Sequence, residues 1–384
     1  MIKITFTGDI LISPEQLTAV YKSQGKYDFD YIFEHIKKRF KESDCLIGNL
    51  ETPLAGEDLE YTHHKWSFNT PDSLALALKN AGFTILSTAN NHCLDRGKEG
   101  LRRTIEVLDK YDLKHTGTYK TTEDPRILVH KVKGIQIAIL SYTYGTNAAF
   151  NGNYISEPIV NLFQPQERIP SRHLYPRVLN KLKRIMHFDA FNRRFLKGAC
   201  SHRKYKRQIK TDLQEIMQHG VDITIMCMHA GGQYNEHPDI DTQNLMRFLL
   251  HNPIDVVIGN HPHVVHPFIK LGKKKGFYSL GDLCPFPGCA SAELATPEVF
   301  PEYSILAHIY VDEQKKVAQK VSFEILKSVI DTDGIAKVHT LFDLINDERD
   351  ELNRRTLLQT NLAIYNLVTN QQMQAIALQR EYEL

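Results

Sequence analysis

The residues best suited to chemistry are His261 and His263, set either side of Pro262 in the run Gly259-Asn260-His261-Pro262-His263-Val264. Residues 254–258 before them are apolar and β-branched and read as a buried strand. Gly259 and Asn260 are expected to break that strand. On an extended stretch, positions i and i+2 face the same side, which aims both imidazoles at one point, and proline stiffens the geometry. Two neutral imidazoles so placed suit a transition metal. Histidine pairs in loops are also common without any ligand, so the reading depends on what the other strand ends deliver.

Four of them deliver polar groups. Residues 2–6 alternate apolar and polar positions and end at Gly8-Asp9; residues 45–48 end in Asn49-Leu50-Glu51. Residues 84–87 lead into Ala89-Asn90-Asn91-His92-Cys93-Leu94-Asp95. There an asparagine can supply a neutral oxygen, a histidine can move a proton, and an aspartate can orient that histidine. Residues 222–228 deliver His229. In α/β sheets the C-terminal edge of the strands is where ligands sit. Asp9, Asn49 with Glu51, Asn91 with His92, His229, and His261 with His263 therefore point to one polar site at a shared edge. Carboxylate, amide oxygen and imidazole together suit Mn, Fe or Zn, and their number suits two divalent ions. Two such ions can hold both oxygens of a displacement and generate a hydroxide nucleophile near neutral pH.

The elements that must position these groups alternate between strand and helix. Helical periodicity is expected over residues 27–41, 71–81, 98–111, 212–219 and 241–251. A hairpin is expected through Lys133-Gly134, an antiparallel pair over 304–311 and 317–326, and helix from about residue 335. At 384 residues, 42% hydrophobic and 24% charged, this is a globular α/β composition with no run long enough to span a membrane. The N-terminus enters a strand with no signal-peptide pattern, so a cytoplasmic protein is expected. Six cysteines without a C-x-x-C pair are expected to be reduced core residues. Residues 168–207 carry thirteen Lys or Arg against Asp189 alone. That stretch is either a solvated surface insertion or a patch for a polyanion. Few aromatics interleave with its basic residues, which disfavours nucleic acid as the partner.

The runs Thr7-Gly8-Asp9, Gly48-Asn49-Leu50-Glu51, Ala89 to Asp95, His229-Ala230-Gly231, Gly259 to Val264 and Tyr278-Ser279-Leu280-Gly281-Asp282 occur in an order that resembles the CapA family. That family is associated with poly-γ-glutamate capsule synthesis and is similar in fold to calcineurin-like metallophosphatases. The resemblance implies a four-layer α/β/β/α sandwich over residues 1–330, interrupted by the basic insertion, with a helical C-terminal extension over 331–384. It implies that Asp9, Glu51, Asn91, His229, His261 and His263 are metal ligands, with Glu51 where phosphatases place a bridging aspartate. His92, oriented by Asp95, is implied as proton donor or charge stabiliser. Three positions depart from the pattern. Gln233 stands where the family has a glutamate, for which Glu236 is the candidate substitute. Asp282 replaces an asparagine, and Leu11 stands where phosphatases place a histidine. The expected function is a dinuclear hydrolase that uses a metal-bound hydroxide on a phosphoester or amide bond. An anionic polymer, or a small phosphoester or γ-glutamyl compound, is the expected substrate. The alternative is a metal-containing protein that binds a polyanion or assists capsule assembly without turnover.

Overall fold

Apolar, β-branched runs build two sheets in a computed structural model of the chain, which describes residues 1–64, 66–167, 198–289 and 299–384. The first sheet runs in the order Ala336–Thr340, Val317–Ile330, Tyr303–Asp312, Ile2–Ile10, Cys45–Leu50, Ile85–Ser87, Lys114–Thr116, and Tyr382–Glu383 also pairs with Val317–Ile330. Its last four strands are parallel, so their C-terminal ends share one edge. The second sheet runs Phe268–Leu271, Lys274–Phe277, Val256–Asn260, Ile223–His229, Ile135–Thr143, Leu128–Val132. Its four central strands are parallel. The outer strand on each side is antiparallel to its neighbour.

Alternation along each strand sends one set of side chains into the gap between the sheets and the other set outward. Ile4, Phe6, Ile47, Ala307 and Phe323 of the first sheet share a core with Ile137, Ile225, Ile258 and Phe277 of the second. The outward residues Leu46, Leu86, Leu306 and Leu326 pack with Leu74 and Leu78 of helix Ser73–Ala81 and with Leu108 of helix Gly97–Lys110. On the far side, Leu140, Met226 and Val257 pack with Ile209 and Leu213 of helix Gly198–Gln218 and with Met246 and Leu249 of helix Ile240–Leu250. The order is helix, sheet, sheet, helix, the four-layer sandwich expected from the sequence.

Several local expectations differ from what is found. The helix expected over 27–41 is a 3₁₀ turn at Asp30–Phe33 and one helical turn at Lys37–Phe40. Phe29, Ile32, Phe33, Ile36 and Phe40 are each buried against the first sheet's outer face, and that packing, rather than the helical period, sets the backbone. Strand Val256–Asn260 retains Gly259 and Asn260 instead of breaking at them, with Asn260 in register with His229. The helical reading from about residue 335 is preceded by strand Ala336–Thr340; helices Leu341–Asp347 and Glu351–Thr369 follow it. Leu341, Ile345, Ile364 and Val368 of those helices join the inter-sheet core. Of the basic stretch, residues 168–197 lie outside the described residues, and with them 178–188, whose sequence has a helical period. The rest is the start of helix Gly198–Gln218.

The two sheets are joined at their C-terminal edge. The Asp9 N–H donates to Gly281 O at 2.9 Å, and Leu283 N–H donates to Asp9 O at 2.8 Å. Gly8 permits this approach, because a Cβ there would stand 1.9 Å from Gly281 O. A register shift between Phe6 and Asp9 lies where the first strand leaves Tyr303–Asp312 and bridges to Asp282 on that side, while it stays paired to Cys45–Leu50 on the other.

Candidate metal centre

The join places the strand ends of both sheets around one buried volume. Asp9 is fully buried, and three donors fix its two oxygens. Asn49 Nδ2 at 2.7 Å and Asn260 Nδ2 at 2.8 Å donate to Oδ1; the His261 N–H at 3.0 Å donates to Oδ2. Asn49, expected with Glu51 among the possible ligands of this strand end, therefore positions Asp9. Its own Oδ1 accepts from Ser87 Oγ at 3.2 Å.

Glu51 follows the neighbouring strand end, and its N–H donates to Ile10 O at 3.0 Å. Its side chain is fully buried and neither carboxylate oxygen has a hydrogen-bond partner. Burial, and next to it the charge of Asp9, push its pKa well above the usual carboxylate range. An unpartnered buried carboxylate is costly, and a cation between its oxygens and the facing imidazoles removes that cost. His229 Nε2 lies 3.3 Å from Glu51 Oε1 and 2.7 Å from Asn91 Oδ1. His263 Nε2 lies 3.9 Å from Glu51 Oε1. His261 Nδ1 is a second buried atom with no partner.

Two groups of ligand atoms result, Glu51–His229–His261 and Asp9–Glu51–His263, each with its atoms within 4.8 Å of one another. They share Glu51. Ligand atoms around one ion at bonds of about 2.1 Å stand roughly 3–4 Å apart, so each group needs only a small contraction to close on an ion. Burial, with the facing imidazoles adding to it, holds the pKa of His229 and His261 well below the ordinary value, so both are neutral and able to ligate. Burial acts the same way on His263, but the Asp282 carboxylate 2.8 Å from its Nδ1 outweighs it and raises the pKa. A carboxylate on one ring nitrogen orients the ring and leaves the other for a metal.

The six residues read as ligands thus surround one volume, but the two histidines reach it by an unexpected route. His261 has φ +103° and His263 φ +60°, so neither is on extended backbone. The rings converge, with centroids 5.7 Å apart, through two left-handed residues rather than through strand alternation. Such conformations cost of order 1–3 kcal/mol each and persist only where the surroundings hold them. Asp9 accepting the His261 N–H is one such hold.

His92 stands at the edge of this volume. Its Nδ1 lies 2.7 Å from Asp95 Oδ2, which also accepts the Phe68 N–H at 2.8 Å. The Phe68 ring packs edge-on against the imidazole, centroids 4.6 Å apart. Nε2 is the remaining nitrogen, and His92 lines the cleft that opens beside the site. Asn90 is structural: its Nδ2 donates to Leu50 O at 2.7 Å, and its Oδ1 accepts the His92 N–H at 3.2 Å.

Glu236 does not restore the carboxylate absent at Gln233; it is exposed and paired with His237 at 3.4 Å. Gln233 Nε2 lies 3.4 Å from His263 Nε2, and Asp282 holds the opposite side of the same ring. The carboxylate missing at 233 is offset by one at 282. The ring of Tyr144 packs with its centroid 4.7 Å from that of His261. Asn260 was read only as a strand breaker. The signal that could have found it is its position in register with His229 at the sheet edge.

The strand ends of a helix–sheet–sheet–helix sandwich thus close around a buried Asp/Glu/His cluster. The chain belongs to the bacterial capsule synthesis protein family PGA_cap, whose model matches residues 3–285. It is 26% identical over 283 residues to the capsule biosynthesis protein CapA of Bacillus anthracis. It is 25% identical over 285 residues to the PGA biosynthesis protein CapA of Bacillus subtilis (strain 168). Each match covers 73% of this chain, but only 58% and 63% of those relatives. Among solved structures, a 5′-nucleotidase from Candida albicans SC5314 superposes with a TM-score of 0.41 at 13% identity, over 87% of this chain and 53% of that one. Among the described residues no helix is long and apolar enough to cross a membrane.

Proposed function

We propose that the chain is a dinuclear metal-dependent hydrolase in the metabolism of a capsule-type polymer. The observation that carries this reading is the pair of ligand groups sharing a buried, unpartnered Glu51. Asp9, Glu51 and His263 would hold one ion, and Glu51, His229 and His261 the other, with Asn91 Oδ1 beside His229 as a neutral ligand. The mixture of oxygen and imidazole ligands suits Mn, Fe or Zn. Bound there, two divalent ions supply Lewis acidity toward the scissile group and acidify water.

The chain's own residues supply the rest. Asn49 and Asn260 hold Asp9, and Asp282 sets the ring of His263. Asp95 holds His92 so that Nε2 can give a proton to a leaving oxygen or nitrogen, or stabilise charge on it. The substrate is a phosphoester or an amide such as a γ-glutamyl bond. The names of the two Bacillus relatives, capsule biosynthesis protein and PGA biosynthesis protein, support the polymer context.

A second reading, a polyanion-binding protein without turnover, is favoured by a different observation. Arg203, Lys204, Lys206, Arg207 and Lys210 are exposed on helix Gly198–Gln218, whose apolar residues face the sheet. One experiment addresses both. Metal-loaded protein is assayed on a phosphomonoester, a phosphodiester and a γ-glutamyl amide, and its retention on immobilised poly-γ-glutamate is followed as salt rises. Turnover of one substrate is expected, as is retention that weakens steeply with salt and falls when Arg203, Lys204, Lys206 and Arg207 become glutamine. Retention with no turnover of any of the three moves the binding reading ahead.

A further inference from the structure

The cleft beside His92 and His263 has a composition that the polymer context does not predict. Its walls are aromatic: Trp66, Phe68, Tyr234 and Phe286, brought together from three separate segments. Among the described residues lining it, no lysine or arginine occurs, and the carboxylates are Glu15 and Asp282. A chain of carboxylates entering this cleft would meet Glu15 and Asp282 and, among the described lining residues, no lysine or arginine, which costs binding. A flat, uncharged ring would meet π faces and apolar surface, which favours it.

The walls are held in place. Arg96 Nε donates to Leu59 O at 2.7 Å, its Nη2 to Glu60 O at 3.0 Å and its Nη1 to Ser67 Oγ, clamping the loop that carries Trp66 and Phe68. The Phe68 N–H on Asp95 ties that same loop to the residue that orients His92. Opposite, Tyr234 has φ +53° and donates its N–H to Pro262 O at 2.8 Å, beside the ring of His263. A left-handed tyrosine is uncommon and is retained here by contact with the turn that bears both site histidines.

We propose that this cleft seats the leaving group of the substrate, and that the leaving group carries a flat, uncharged ring, while the anionic end of the substrate faces Asp9, Glu51 and the histidines through the ions. The proposal rests on the metal reading only for that anionic end. It separates two ligands that the sequence reading treated together. The aromatic walls favour a small ring-bearing phosphoester. An anionic polymer does not thread the cleft and is left with the basic face of helix Gly198–Gln218.

Trp66 is the only tryptophan of the 384 residues, so intrinsic fluorescence reports this cleft without turnover. Titrations on Mn-loaded and on metal-free protein use phenylphosphonate, methylphosphonate, glucose 1-phosphate and tri-γ-glutamate. Phenylphosphonate is expected to bind more tightly than methylphosphonate by on the order of tenfold or more. Phe286→Ala is expected to shrink that ratio and leave methylphosphonate unchanged. Glucose 1-phosphate tells a sugar ring from an aromatic one: affinity matching phenylphosphonate assigns the cleft to either ring, and affinity matching methylphosphonate assigns it to aromatic rings alone. Equal binding of the phenyl and methyl compounds, or displacement of phenylphosphonate by tri-γ-glutamate, overturns the proposal. A phenyl preference that persists while metal adds nothing to phosphonate affinity keeps the cleft assignment and overturns the metal reading instead. The ligand comparison on the unaltered protein decides the matter even where Phe286→Ala fails to fold.

Discussion

Replacing His92 by alanine is expected to lower turnover by the metal-loaded protein by on the order of a hundredfold or more, with metal content and fold retained. His92 belongs to neither group of ligand atoms, so its loss leaves both intact. Its Nδ1 is committed to Asp95 at 2.7 Å, and Asp95 is itself fixed by the Phe68 N–H. The imidazole is therefore held in one orientation, with Nε2 as its remaining nitrogen. A group so placed acts on charge that develops in the transition state, and substrate affinity changes much less than turnover. Asp95→Asn is expected to give a milder loss. An asparagine oxygen in the place of Asp95 Oδ2 can still accept from His92 and from the Phe68 N–H, but without the negative charge it holds the imidazole less strongly. Turnover and metal content of the two variants and the parent, measured side by side, check this. Full turnover in His92→Ala with metals in place contradicts the catalytic assignment.

Glu51→Gln is the second large effect, and its sign depends on whether metal is present. In the metal-free protein the Glu51 carboxylate is buried without a hydrogen bond and faces Asp9. A neutral isostere relieves that charge, so metal-free Glu51→Gln is expected to be more stable than metal-free parent by about 1–3 kcal/mol. With metal the order reverses. Ligand at about a hundred times its dissociation constant stabilises a protein by about 2.7 kcal/mol, and most of that gain is lost with the shared carboxylate. Thermal melts with and without Mn, for both proteins, read both signs. An identical metal-induced rise in the two proteins contradicts the role of Glu51 as the shared ligand.

The strand ends were legible because each is a short apolar run followed by a polar residue that nothing in a loop requires. Asp9, Asn49 with Glu51, Asn91 with His92, His229, and His261 with His263 are legible that way; the choice of Glu51 and Asn91 as ligands is what the family resemblance implies, and the structure gathers Asp9, Glu51, Asn91 and the three histidines around one volume. The four layers were legible because strands and amphipathic helices alternate. What was not legible depends on contacts distant in sequence. The left-handed backbone at His261 and His263 depends on Asp9, some 250 residues earlier, accepting a backbone N–H. Asn49 and Asn260 look like turn residues until both are seen to hold one carboxylate oxygen. The segment 27–41 has a helical pattern, yet its aromatics are drawn into a sheet face that its own sequence does not describe. The sharing of Glu51 between two ligand groups appears only once Gly8 lets the two sheets meet at Gly281.

That sharing is the central claim, and metal content tests it most directly. Elemental analysis of the parent protein, purified without chelator and again after exposure to Mn, Fe or Zn, is expected to find two divalent ions per chain. His261→Ala, which removes a ligand from one group only, is expected to lower that number. A parent protein that retains no ion after exposure to any of the three metals contradicts the account.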